Sequence, residues 1–508
     1  MMTPREAELT EQLRQAHLKI ALLEQKIDLL VRRIFGAKSE KLDAAQLELL
    51  LSLQEDGGGK EPASAAVADC WEADSKRASP NRRKERAPRL PQHLPVIEQF
   101  IDPDAVKASP AQWRQIGDEV SEQLDYEPAR FFRRRLIRRK YVKRSESYLP
   151  PIIAPLPPSL QERCIAAPGL LAQIIVSKYC DHLPLYRQEH IYAQRHGVEI
   201  SRHTMVRWVE LVAEWLRPIY RQMRTGVMAG GYVQVDETPV AYLSPGHGKT
   251  KQGYLWTCSR PGGDVIYEWR TSRAAACLDN IIPVDFQGTL QCDAYSGYRA
   301  YARSCAGRIT LAGCWAHARR KFHEARDQAP RQAAWLLRQI QHLYRLEATL
   351  REQKAGPRLR EALRASQSRP IITRIHRTLL RLKATKRHLP QSLMGRAIDY
   401  SLNNWSMLSV YLGDGRVEID NNLVENSIRP TAVGKKNWLF IGDAEAGERS
   451  AIIYSIIESC RRRGLDPHAY LRDVLTRLPT MTNWQIKDIT PEAWAKAARK
   501  QEALKAAA

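Results

Sequence analysis

No two cysteines in this 508-residue chain stand at Cys-x-x-Cys spacing, and the nine present are scattered singly. That argues against a disulfide framework and for reduced thiols in a cytoplasmic setting. No apolar run approaches the roughly 18 residues that span a bilayer, and the N-terminus is polar and charged from Thr3 onward. Neither a membrane partner nor a secretory signal is expected. Acidic residues are also scarce: 56 Asp and Glu face 79 Lys and Arg, for a formal net charge of +23. Such an excess belongs to proteins that meet a polyanion, most often nucleic acid, the plainer alternative being a solvated basic surface.

What is present changes character along the chain, and 508 residues are too many for one core. Leu9, Leu13, Ala16, Ile20, Leu23, Ile27, Leu30 and Ile34 alternate in steps of four and three. This heptad seam predicts a coiled coil over 1–53 that pairs protomers. Residues 54–95, with Gly57-Gly58-Gly59 and Pro80-Asn-Arg-Arg-Lys84, have no apolar period and read as a disordered linker. Between Arg130 and Arg144 nine of fifteen residues are Arg or Lys, interleaved with Phe131, Phe132, Leu136, Ile137, Tyr141 and Val142. That pattern suits a strand pair with a cationic face, and Arg133, Arg134, Arg135, Arg138, Arg139 and Lys140 are its candidate phosphate contacts.

Residues 164–228 read as a helical DNA-binding region. Gly197 is a natural left-handed stop for a helix ending at His196, and Ser201 a natural N-cap for the next. Helix, glycine-containing turn and helix make a helix-turn-helix candidate, with Arg202 and Arg207 on the second helix; ordinary helical hairpins read the same way. From Gly231 the pattern becomes short β-branched and aromatic runs: Tyr232–Val235, Gly253–Cys258, Val265–Trp269, Thr289–Cys292 and Ile309–Ala312. Three strands, a helix and further strands suit a mixed sheet of ribonuclease-H-like type. Residues 324–412 return to helical periodicity, and 451–508 form a C-terminal helical region.

The first and fourth of these strands are each expected to end in an aspartate, Asp236 and Asp293. In a ribonuclease-H-like sheet those strands are neighbours, so the two carboxylates can share a metal. Oxygen-only ligation suits two Mg²⁺ or Mn²⁺ ions. For a third ligand Asp414, Glu418, Asp420 and Glu425 compete, with Asp420 also readable as the cap of a helix starting near Leu423. Glu425 would then lie in the first turn, with Arg429 one turn later.

At these residues the chain closely resembles the transposases of the insertion-sequence-66 family. The likeness runs through Leu29–Leu42, Gly117–Tyr126, His182-Leu-Pro-Leu-Tyr-Arg187, Asp236-Glu-Thr-Pro-Val240 and Asp293-Ala-Tyr-Ser-Gly-Tyr298. It continues in Gly313-Cys-Trp-Ala-His-Ala-Arg-Arg-Lys-Phe322, Asp420-Asn-Asn-Leu-Val-Glu425, Lys435-Lys-Asn-Trp-Leu-Phe440 and Tyr470-Leu-Arg-Asp-Val-Leu475. The resemblance implies an Asp-Asp-Glu core over 229–450 with Asp236, Asp293 and Glu425 as catalytic and metal-binding residues, and 324–412 as a helical insertion. Arg429, Lys435 and Lys436 are expected to hold phosphates. Cys314-x-x-His317 matches a signature of several such groups; with no second ligand pair at suitable spacing, His317 is assigned a structural or DNA-positioning role and no zinc is expected. One departure is plain. Family members usually carry a small zinc module before the helix-turn-helix region, yet residues 96–150 hold no cysteine. A degenerate, metal-free basic module is expected there.

The implied activity is cleavage of insertion-sequence ends and joining of their 3′-hydroxyls to target DNA. A DNA-binding regulator or relic, and a Mg²⁺ nuclease without joining, are the alternatives. Expected partners are the terminal inverted repeats, target DNA and a second copy of the chain, with accessory transposition proteins an open question.

Overall fold

The computed structural model describes residues 90, 92, 94–127, 130–144, 149–244, 246 and 248–507. The heptad seam and the linker as far as residue 89 lie outside them. At the end of that stretch Leu90 and Leu94 are buried.

Residues 96–153 form the first sheet. β1 (Val96–Ile101), β2 (Trp113–Glu127), β3 (Arg130–Lys143) and the short β4 (Ile152–Ile153) surround β3, which pairs parallel with β1 and antiparallel with β2 and β4. Where a cysteine knuckle would be expected, Tyr141 and Lys143 instead lie inside β3. Packing replaces thiolate ligation: Leu124, Phe131, Phe132, Tyr141 and Val142 are buried, and the Tyr141 hydroxyl donates to Asp102 at 2.5 Å. Arginine runs in β3 hand most of their cations to acids on the neighbouring strands and loops. Arg133 meets Glu122 at 2.7 Å, Arg135 meets both Glu122 and Glu98, Arg134 meets Asp125 at 3.5 Å, Arg138 meets Glu119, and Arg139 meets Asp102 at 3.8 Å. Arg133 and Arg138 are buried. Part of the cationic run is thus neutralised within its own sheet.

Helices α1 (Pro168–Tyr179), α2 (Leu185–His196) and α3 (Arg202–Met228) follow. Gly197 ends α2 at φ +62°, a region where a Cβ is costly, and the Ser201 side chain accepts the Thr204 N–H at the start of α3. Arg202 and Arg207 are exposed near that start, whereas Trp208, Val212 and Leu216 are buried on the opposite stripe.

The central sheet runs β7-β6-β5-β8-β9, with β5 (Tyr232–Leu243), β6 (Thr250–Ser259), β7 (Val265–Arg270), β8 (Gly288–Gln291) and β9 (Ile309–Ala312). The β7–β6 and β6–β5 pairs are antiparallel, and the β5–β8 and β8–β9 pairs are parallel. β5 is longer than the sequence implied, because Pro239 does not end it. Ala241 and Leu243 exchange hydrogen bonds with Ile441 on the side away from β6. Pro239 shares their parity, so its missing N–H falls on that open side, where a strand tolerates proline.

Helices α4 (Ser296–Ser304) and α5 (Trp315–Glu324) flank β9. The helical stretch then contains α6 (Pro330–Glu352), α7 (Pro357–Leu363), a π turn (Arg364–Ser368), α8 (Arg369–Ala384) and α9 (Leu393–Asn403). Trp315, Phe322, Leu336, Ile340, Ile375 and Leu379 bury a core shared by α5 and these helices. The chain returns to the sheet in α10 (Asn422–Trp438), then α11 (Ala444–Arg462), α12 (Pro467–Arg477) and α13 (Pro491–Ala507). The C-terminal helices are part of the core's architecture: Ser459 and Ser455 accept the N–H groups of Val265 and Tyr267 at 3.0 and 2.8 Å. α11 thereby covers an edge strand that would otherwise present free donors. Among the described residues no helix is long and apolar enough to cross a membrane.

Candidate active site

β5 and β8 stay paired only as far as Gln234 opposite Gln291. Asp236 and Asp293 each lie two residues further along, so parallel register carries both to the same level of the fork where the strands part. Asp236 is therefore not at the end of β5, which continues to Leu243 beside β6; it is at the end of the β5–β8 pairing. Asp293 lies just past β8, its carboxylate accepting the Tyr295 N–H at 2.9 Å.

α10 brings the third acid. Its N-cap is Asn421, and Glu425 lies in its first turn. Asp420 accepts the Asn422 N–H at 3.1 Å, close to the cap role read from sequence, with the helix starting one residue earlier than Leu423. The other competitors are engaged elsewhere: Asp414 with Arg416 at 2.8 Å, Glu418 with Arg360 at 2.9 Å. Burial pushes the Asp236 carboxyl up to about 8, aided by the charges of Glu237, Glu425 and Asp293. Such a group holds a proton at neutral pH unless a cation replaces it. Among the described residues, no arginine or lysine forms an ion pair with Asp236, Asp293 or Glu425. Carboxylates that feel one another's charge and have no cationic side chain paired to them offer the oxygen donors that suit Mg²⁺ or Mn²⁺.

Buried amides set the fork. Gln234 donates to Gln291 at 2.9 Å and to the Asp420 carbonyl at 3.0 Å; Gln291 donates to the carbonyls of Glu418 and Gly313 at 2.8 and 3.2 Å. The Tyr232 hydroxyl accepts the Glu418 N–H, and Asn421 donates to the Val235 carbonyl at 3.1 Å. This network fastens the segment before α10 to the two aspartate-bearing strands. Composition and motif reading had no means to find it, because its members meet across 22 to 186 residues of sequence and only the burial of the glutamines reveals it.

A second missed group surrounds Glu237. Its buried carboxylate accepts from Arg273 at 2.6 Å and from the Tyr298 hydroxyl, and Arg273 stacks over Tyr295 at 3.9 Å. Glu237 follows Asp236 and Tyr295 and Tyr298 follow Asp293, so this cluster locks one motif onto the other; the motif strings held the signal. Tyr298→Phe removes one donor from a buried carboxylate and is expected to cost about 1–3 kcal/mol of stability, read as a lower urea midpoint with an unchanged slope.

Of the phosphate candidates, Lys435 donates to the Pro239 carbonyl at 3.3 Å, and Lys436 is exposed. Arg429 makes no ion pair with the aspartates. It lines a cavity of about 490 Å³ with His182, Arg461 and Arg462. His317 lies on α5, its Nδ1 3.7 Å from Glu425, and Cys314 Sγ lies 4.0 Å from the same carboxylate oxygen.

Comparison with known proteins agrees in range with these elements. A family model described as "Transposase IS66 family" matches residues 163–449, one described as "IS66 C-terminal element" matches 455–491, and one described as "Transposase C of IS166 homeodomain" matches 22–98. An uncharacterised protein, y4jD, of Sinorhizobium fredii (strain NBRC 101917 / NGR234) is 33% identical over 97% of this chain and 98% of its own length. A second from the same organism, y4qI, is 35% identical over 92% of this chain and 87% of its own.

Proposed function

The chain belongs to the transposase IS66 family, and from that premise we propose that it cuts insertion-sequence ends and joins their 3′-hydroxyls to target DNA. The observation that carries this reading is the fork: Asp236 and Asp293 in matching register, with Glu425 close enough to raise the Asp236 carboxyl. The strand order β7-β6-β5-β8-β9 with its antiparallel-then-parallel pattern supports a ribonuclease-H-like core interrupted by a helical insertion. Asp236, Asp293 and Glu425 would hold two divalent cations, Mg²⁺ or Mn²⁺. When bound, such ions activate the attacking oxygen and stabilise the leaving one.

The protein's own residues do the rest. Gln234, Gln291 and Asn421 fasten the segment before α10 to the two aspartate-bearing strands, which limits the reorganisation needed as charge develops on the phosphate. Lys436 and, after release from the Pro239 carbonyl, Lys435 extend from α10 toward the DNA backbone. Exposed Arg202 and Arg207 make α3 the element that reads terminal repeats, with Lys140 and the partly neutralised β3 arginines as flanking phosphate contacts. The heptad seam over 1–53 pairs protomers so that two ends meet in one complex.

A joining assay with pre-cut ends tests the reading. The expected result is joined product with Mg²⁺ or Mn²⁺. Hydrolysis without joining would identify a nuclease, and binding without either reaction a regulator or relic. Binding itself should weaken steeply with salt; a flat dependence of log K on log salt contradicts phosphate contact.

A further inference from the structure

The side of Glu425 that faces α5 carries three different ligand atoms. Cys314 Sγ, His317 Nδ1 and a Glu425 oxygen lie within 4.8 Å of one another, with the oxygen 4.0 Å from the sulfur and 3.7 Å from the nitrogen. Ligands about 2.0–2.3 Å from a tetrahedral zinc lie about 3.3–3.8 Å apart, so closure of about half an ångström about Glu425, with the sulfur–nitrogen separation drawn in from within 4.8 Å, completes the face. Three further observations point to an ion. Nδ1 of His317 is a buried atom with no hydrogen-bond partner, although it faces a carboxylate. Cys314 Sγ accepts the Asn421 backbone N–H at 3.3 Å, which orients the sulfur; burial pushes its thiol up to about 12, only partly offset by that N–H, so the thiolate needs the ion itself. Access also exists, since the His317 and Glu425 side chains are each 25% exposed while Cys314 is buried.

We propose that Cys314, His317 and Glu425 form an inhibitory site for a soft divalent ion such as Zn²⁺, distinct in ligand chemistry from the all-oxygen catalytic pair but sharing Glu425 with it. The expectation that no zinc binds rested on the absence of a second ligand pair near Cys314-x-x-His317; α10 supplies the third ligand from 108 residues downstream (425 − 317). On binding, the thiol proton leaves to solvent and the sulfur, imidazole and carboxylate donate to the ion, with the fourth position open. Glu425 is then drawn from Asp236 and Asp293, and the catalytic set loses a member. The regulatory part of this inference rests on the function proposed above; the binding part does not.

The test uses the full-length chain and Co²⁺ alone as spectroscopic probe. Wild type is expected to show a thiolate-to-cobalt charge-transfer band in the near ultraviolet. Cys314→Ser should lose it, and His317→Gln should weaken cobalt affinity by at least the roughly 10–100-fold that losing even an outer partner costs. No band in wild type, or a band unchanged in Cys314→Ser, overturns the site. In the Mg²⁺ joining assay, added Zn²⁺ should slow wild type while the ratio of rates with and without Zn²⁺ stays near unity in both variants. Equal inhibition of all three proteins overturns the regulatory role. Because His317 is partly exposed, its variant keeps the test valid if Cys314→Ser misfolds. A wild-type chain that joins no DNA under any condition refutes the proposed function, while the cobalt band still decides the site.

Discussion

Asp236→Asn is expected to abolish joining, by roughly a thousandfold or more, the scale on which loss of one preorganised charge-stabilising group acts, and yet to stabilise the metal-free protein. The second effect follows from linkage. The Asp236 carboxyl is raised to about 8 in the folded chain by burial and by Glu237, Glu425 and Asp293, against about 3.9 in an unfolded one. A raised pKa means that the folded state binds the extra proton. The stability it contributes is complete below about pH 4 and is lost progressively as pH rises to about 8, at up to about 1.4 kcal/mol per pH unit. Asparagine removes that titration. Without divalent cations the variant should therefore melt above wild type at pH 8 and near it at pH 4. Added Mg²⁺ or Mn²⁺ should raise the wild-type midpoint and leave the variant's almost unmoved. A variant less stable than wild type at pH 8 would mean that Asp236 is neutralised by some other group.

Arg364→Met is expected to cost about 3–5 kcal/mol, the usual penalty for stripping one partner from a buried ion pair. Arg364 and Glu347 are both fully buried, joined at 2.7 and 2.8 Å, and Arg364 also donates to the carbonyls of Tyr411 and Asp414. Burial alone would push the Glu347 carboxyl up, but Arg364 and Arg360 more than offset it and hold it below its ordinary value. Arg360 continues the chain of contacts to Glu418, four residues before α10 begins. The cluster thus ties the helical insertion to the segment that delivers Glu425. Urea denaturation should show the full penalty in Arg364→Met and less than the sum of the single penalties in Glu347→Gln/Arg364→Met, because the double variant leaves no naked charge. Joining should slow in Arg364→Met even at temperatures where it remains folded.

Much of the sheet was legible. Val265–Trp269 and Ile309–Ala312 agree with β7 and β9 to within a residue, because β-branched and aromatic runs bounded by turn residues leave little choice. Gly197 and Ser201 marked their helix ends for equally local reasons. The apolar run Tyr232–Val235 stops at Asp236, whereas β5 continues to Leu243 because β6 pairs with it throughout and Pro239 turns its missing N–H to the open side. The choice among Asp414, Glu418, Asp420 and Glu425 lay beyond local pattern too; likeness to a family favoured Glu425, and while Asp414 and Asp420 are engaged locally by Arg416 and Asn422, the partners of Glu418, Arg351 and Arg360, appear only when α6 and α7 are assembled. The arginine run in β3 is the opposite case. Its charge was plain, but its pairing with Glu98, Asp102, Glu119, Glu122 and Asp125 depended on strand register.

The central claim is that Asp236, Asp293 and Glu425 together hold the catalytic cations. Electron paramagnetic resonance of Mn²⁺, titrated into the full-length chain bound to pre-cut DNA ends, measures it directly. The account predicts two bound ions in wild type and loss of at least one in each of Asp236→Asn, Asp293→Asn and Glu425→Gln. Undiminished Mn²⁺ binding in all three variants would contradict it.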